Sequence, residues 1–164
     1  MDRVTLYAES GGAPRPLRPR PFTSEADLRR FAERRLEAAL GLRLIGTEVP
    51  VDGWGSGRLD ALAVDERLRP IVLEFKREAT GNTIGQALVY VDWLLAHQDA
   101  ITLRIARVLG IKDADRVDWT APQVVCVAEI FSPREEAVAR QLRGRVELVK
   151  LTRYTAKVFT VQRV

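Results

Sequence analysis

Two strand-like runs, Ser56–Val64 and Pro70–Lys76, flank the short polar loop DERLR (65–69). So short a connection between two such runs specifies an antiparallel hairpin. Side chains alternate along a strand, so Ile71, Leu73 and Phe75 share one face of the second strand, and Val72, Glu74 and Lys76 share the other. If Val64 pairs with Pro70, the hairpin is centred on position 67, and Asp60 and Glu74 lie equally far from it. The register therefore predicts two carboxylates directly across from one another, with Cβ atoms about 4.5–5.5 Å apart. Facing like charges destabilise a sheet, so a cation is expected between them. Lys76 is one candidate and a divalent metal ion is the stronger one.

The rest of the chain reads as a frame for that hairpin. Val4–Ala8 is predicted as a short strand. Gly11–Pro21 (GGAPRPLRPRP) breaks regular structure and reads as a linker, or else as a flexible basic arm that contacts phosphates. Ser24 is a good N-cap, with Glu25 and Asp27 in the first helical turn. Leu28, Phe31, Ala32, Leu36, Ala39 and Leu40 continue the helical spacing up to Gly41. Strands are expected at Leu42–Val51, at the two hairpin segments, at Pro122–Ala128, at Val146–Leu151 and, edge-like, at Lys157–Val164. Helices are expected at Thr83–His97 and Ile101–Leu109, and after Ser132-Pro133, where the serine caps and the proline takes the first position. This order predicts an α/β fold: a mixed central sheet flanked by helices, with an α-β-β-β-α-β-α-β core. Residues 1–22 form the N-terminal strand and Pro/Arg-rich linker, and residues 23–164 the main domain.

Composition excludes several functions. The single cysteine and single histidine cannot build a Cys/His zinc site, and Cys126 has no internal disulfide partner. No apolar run is long enough to span a membrane, and the N-terminus lacks the pattern of a signal peptide, so a cytoplasmic protein is expected. The net charge of +4 permits a polyanionic partner without requiring one.

Asp60 and Glu74 suit magnesium, which takes oxygen ligands and is satisfied by one or two carboxylates plus waters and substrate phosphate. The backbone carbonyl of Phe75 is a further candidate ligand. Such an ion polarises a phosphodiester and activates a bound water. Lys76 would orient or deprotonate that water, or neutralise charge on the phosphate. Glu-x-Lys alone is a weak signal; its combination with Asp60 and a Gly-bearing helix start just beyond is more specific.

The segments Ser24–Leu28, Gly57-Arg58-Leu59-Asp60, Val72–Arg77, Gly85-Gln86 and Tyr90–Trp93 together resemble the C-terminal nuclease domain of the NucS (EndoMS) endonucleases, members of the PD-(D/E)XK superfamily with a restriction-endonuclease-like fold. The resemblance covers roughly Thr23 to Leu151. It implies that Asp60 and Glu74 bind metal (Mg2+ or Mn2+), that Lys76 is the motif lysine, that Glu25 helps hold metal or water, and that Gln86 organises the site. Arg58 and Arg77, beside the motif residues, are candidate nucleic-acid contacts. Two departures stand out. Leu59 replaces the proline of the motif, and only about twenty residues precede the first helix, so mismatch recognition is not carried over.

The leading expectation is thus a metal-dependent DNA endonuclease in repair or defence, acting on single-stranded, branched or duplex DNA. The alternatives are a non-catalytic nucleic-acid-binding module and a dimeric interaction module that keep the fold. A Gln86/Tyr90/Trp93/His97 stripe, taken as exposed, suggests a subunit or DNA contact; packing beneath connecting segments explains it equally well.

Overall fold

The computed structural model describes residues 5–9, 11–53 and 57–164. Val4 and Ser56, at the ends of two expected strands, lie outside the described residues. The chain forms β1 (Tyr7–Ala8), β2 (Arg15–Pro16), α1 (Glu25–Glu33), α2 (Leu36–Leu40), β3 (Arg43–Val51), β4 (Gly57–Val64) and β5 (Pro70–Ala79). There follow α3 (Thr83–Ala96), α4 (Gln98–Leu109), α5 (Ile111–Ala114), β6 (Gln123–Phe131), α6 (Pro133–Gln141), β7 (Val146–Arg153) and β8 (Phe159–Arg163). Strands β3 to β8 form one six-stranded sheet in sequence order. The β5–β6 and β6–β7 pairs are parallel, and β3–β4, β4–β5 and β7–β8 are antiparallel. This is the expected mixed sheet with helices on both faces.

Alternation along the strands assigns the two cores. Val72, Cys126 and Leu148 pack on the face with Ile84, Ala87, Val91 and Leu94 of α3 and Ile101 and Ile105 of α4. Ile71, Leu73, Phe75, Val127 and Val149 pack on the other face with Leu28 and Ala32 of α1 and Leu36 of α2. The hairpin has the expected register from Val64 opposite Pro70 to Ala61 opposite Leu73; regular pairing ends there, one residue short of the expected Asp60–Glu74 pair. The loop itself enforces it, because Asp65 Oδ1 accepts the backbone N–H groups of Arg67 and Arg69, and the Asp65 N–H donates to the Arg69 carbonyl.

Three expectations change. The helix expected to run unbroken to Gly41 is interrupted at Arg34-Arg35, where Arg35 adopts φ −129° and ψ 0°. The break lets α2 turn onto β3, and Gly41 closes α2 in the left-handed conformation (φ +69°). The segment 11–21 is neither a free linker nor a mobile arm. Arg15–Pro16 pairs with Tyr7–Ala8, Pro19 bridges to Tyr154, and the Arg20 N–H donates to the Arg153 carbonyl. Proline removes donors but leaves carbonyls and edge positions usable, which this segment exploits.

The aromatic stripe of α3 is the third correction. Tyr90 and Trp93 are 7% and 6% exposed, inside the core rather than on a contact surface. Trp93 Nε1 donates to Asp52 Oδ1 at 3.0 Å, and its ring stacks on His97. Helix α3 is apolar nearly all round and is buried on two sides, against the sheet and beneath Asp52 and Gly57 at the facing ends of β3 and β4. Among the described residues, no helix is long and apolar enough to cross a membrane.

Candidate active site

The candidate site lies where β4 and β5 leave the apolar part of the sheet, beside the start of α1. Glu74 is on the α3 face, across from Cys126 of the parallel strand β6, and is only 2% exposed. Lys76 follows on the same face, with Nζ 3.2 Å from Glu74 Oε1 and 3.4 Å from Glu25 Oε1. Glu25 is the first residue of α1, which Ser24 caps by accepting the Asp27 N–H. The lysine thus joins a buried strand carboxylate to a half-exposed helix carboxylate.

Asp60 is held from the backbone of the neighbouring strand. Its Oδ2 accepts the Phe75 N–H at 2.9 Å, just beyond the last regular pair of the hairpin. Burial raises the Asp60 pKa; the Phe75 hydrogen bond and the Lys76 ammonium oppose this without cancelling it. Glu74 is displaced further, up to about 7, first by burial and then by the Asp60 carboxylate, with Lys76 pulling the other way. Its second oxygen, Oε2, is buried with no hydrogen-bond partner among the described residues. Burial disfavours the Lys76 ammonium, but the Glu74, Glu25 and Asp60 carboxylates outweigh it, and its pKa moves up. Lys76 is therefore a cation at neutral pH. The Cys126 thiol is pushed up to about 12, by burial and then by Glu74, and is an inert neighbour rather than a nucleophile.

Other expected site residues are engaged elsewhere. Gln86 is exposed, and its Nε2 donates to Tyr90 Oη at 3.1 Å; among the described contacts, none ties it to Asp60, Glu74 or Lys76. The Asn82 side chain lies over Gly85, where an added Cβ would meet its Oδ1 at 2.1 Å and displace it. Arg58 is 66% exposed and faces Glu48 at 3.6 Å. Arg77 faces Glu129, whose other oxygen accepts the Phe22 N–H, so this arginine braces the N-terminal arm.

Two acidic residues escaped the sequence reading. Glu33 of α1 has its pKa raised, first by burial, with Arg29 opposing and Asp60 and Glu48 adding to the rise. Glu48 sits in β3 with a positive φ of +48° and accepts from Arg29 Nη1 at 3.3 Å. The spacing Glu25, Arg29, Glu33 follows successive helical turns and was the available signal for Glu33. The approach of Glu48 depends on the bend in β3 and had none. The acidic centre is thus broader than two residues, with Lys76 and Arg29 as its cations. Even so, among the described residues no three His, Cys, Asp or Glu side chains converge as a ready-made metal cage.

No protein-family model matches the chain, and no curated protein matches it. A solved structure of an EndoMS–dsDNA complex aligns with a TM-score of 0.43 and 18% sequence identity, over 77% of this chain and 44% of that one. The chain thus spans less than half of the protein it aligns with. A likeness of this size assigns neither an activity nor a substrate.

Proposed function

We propose that this chain is a divalent-metal-dependent nuclease of the PD-(D/E)XK type that hydrolyses DNA phosphodiester bonds, with Asp60, Glu74 and Lys76 at its centre. The observation that carries the reading is Glu74: a carboxylate buried to 2% exposure, with one oxygen unpartnered among the described residues and a second acid raising its pKa. A buried carboxylate with one oxygen paired to Lys76 and the other left over is costly, and a bound cation would offset that cost.

The donors fit magnesium or manganese in kind, being hard carboxylate oxygens. Asp60 and Glu74 would hold the ion, with the Phe75 carbonyl and Glu25 as further candidate ligands. The absence of a three-residue cage among the described residues suits magnesium, which retains waters and takes substrate phosphate oxygens as ligands. When bound, the ion would polarise the scissile phosphate and acidify a coordinated water.

The residues of the chain have separable tasks. Lys76, kept charged by three carboxylates, is better suited to neutralising the phosphate than to removing a proton. Glu74 must lose its proton before it can ligate, so activity should rise with pH, with a midpoint at or below about 7 that falls as metal concentration is raised. Glu25 holds Lys76 from the helix side, and the Phe75 N–H orients Asp60.

The test is cleavage of end-labelled single-stranded, duplex and branched DNA, with RNA alongside, in magnesium or manganese and in chelator. Cleavage should require the divalent ion and vanish in Glu74→Gln and Lys76→Ala. Wild-type activity in Asp60→Ala would eliminate the assignment.

A further inference from the structure

A cavity of about 490 Å³ opens on the α1 face of the sheet, between the docked N-terminal arm and the turn joining β7 to β8. Arg20, Arg35, Arg153 and Lys157 line it, together with Phe31 and Tyr154. Among the described residues, Arg20, Arg35 and Lys157 form no ion pair. Arg35 is nevertheless held in place: its guanidinium lies 3.7 Å above the Phe31 ring and donates to the Phe31 carbonyl. Arg153 is the brace, bonded to the Arg20 and Pro21 carbonyls and to Asp27, with its guanidinium over the Phe22 ring. Asp27 offsets the charge of Arg153 and leaves the other three cations uncompensated.

The β7–β8 connection is a tight hairpin turn: the Val158 N–H donates to the Thr155 carbonyl, and Ala156 and Lys157 between them take the positive φ, +58° and +60°, that such a turn requires. Here it presents Lys157 at the cavity, and the Thr155 N–H donates back to the Arg18 carbonyl of the arm.

We propose that this cavity is a second nucleic-acid contact, a seat for backbone phosphates of a strand whose scissile bond lies at the acidic centre. It rests on the nuclease reading for the identity of the ligand. Both places are tied to the first turn of α1, since Asp27 pairs with Arg153 at 3.3 Å and Glu25 pairs with Lys76 at 3.4 Å. A strand running past that turn meets carboxylates at one end and uncompensated guanidinium and ammonium groups at the other. Planar guanidinium groups match phosphate oxygens, and holding them on an aromatic ring reduces the freedom lost on binding. The arm segment, docked through its backbone beside the end of β7, supplies Arg20 to the seat.

The test is equilibrium binding of labelled single-stranded and duplex DNA in chelator, by fluorescence anisotropy across a salt series. Arg20→Glu/Lys157→Glu should bind roughly tenfold more weakly, with a log K against log salt slope shallower by about 1.4 on single strands and 1.8 on duplex, two phosphate contacts' worth. Arg134→Glu/Arg140→Glu on α6 makes the same change in net charge on exposed residues and should retain most of the affinity. Equal losses in both pairs, unchanged binding in the first pair, or no binding by wild type would each overturn the proposal. So would displacement of the DNA by a mononucleotide at stoichiometric concentration, which would mark a pocket for free nucleotides. Because the assay is metal-free, it stands apart from cleavage: loss of the seat leaves the acidic centre in place, and a failed cleavage assay leaves the binding result readable.

Discussion

Glu135, at the start of α6, and Glu74, on β5, expose 3% and 2% of their surfaces. Glu135 accepts the backbone N–H of Thr83 at 3.0 Å and so caps α3, where the Asn82 side chain makes no capping bond. Its own helix is capped by Ser132, which accepts the Glu135 N–H. Glu74 accepts from Lys76, has no partner for its other oxygen among the described residues, and feels the charge of Asp60. Equal burial thus has opposite consequences. One glutamate completes the hydrogen bonding of a helix terminus, and the other is held in a place that destabilises its charged form. Folding accounts for the first, and the proposed metal site would account for the second.

The comparison breaks most visibly in catalysis. Glu74→Gln should lower metal-dependent cleavage at least about a hundredfold, since even outer partners of metal ligands contribute 10–100-fold. Glu135→Gln should leave single-turnover cleavage near the wild-type rate. Equal losses in the two variants would dissolve the distinction.

Stability should move the other way. The folded state raises the Glu74 pKa from 4.5 to about 7, so its contribution is fully present below about pH 4.5 and is lost as pH rises through 7. Metal-free Glu74→Gln should therefore be more stable than wild type at pH 8 by about 3 kcal/mol and equal to it near pH 4. Denaturant unfolding at both pH values measures this, and equal stability at pH 8 would count against a strained carboxylate.

Glu135→Ala should cost about 1–3 kcal/mol, because the Thr83 N–H is left buried without an acceptor. Ser132→Ala, which removes only the cap that positions Glu135, should cost about 1 kcal/mol. Thermal unfolding ranks the pair, and a larger loss for the serine would mean that the α6 cap, not the bond to α3, is the structural element.

Much of the frame was legible because it is local. Alternation set the faces of β5, and the DERLR turn set the register, since Asp65 closes the loop with its own side chain. The break at Arg34-Arg35 was hidden because it contains no proline or glycine and follows from how α2 settles on β3. Burial of Tyr90 and Trp93 was ambiguous because a helix apolar all round does not say which side faces water.

By itself, then, the sequence determined the hairpin, the order of elements, and the placement of Glu74 and Lys76 on one face of β5, all consequences of period, capping and turn chemistry over a few residues. Tertiary structure alone decided that the Phe75 N–H orients Asp60, that Glu33 and Glu48 adjoin the acidic centre, that Gln86 turns to Tyr90, and that the Pro/Arg-rich arm docks beside β7. Those outcomes need elements distant in sequence to meet, and the electrostatics follows from burial, which only the assembled sheet and helices create.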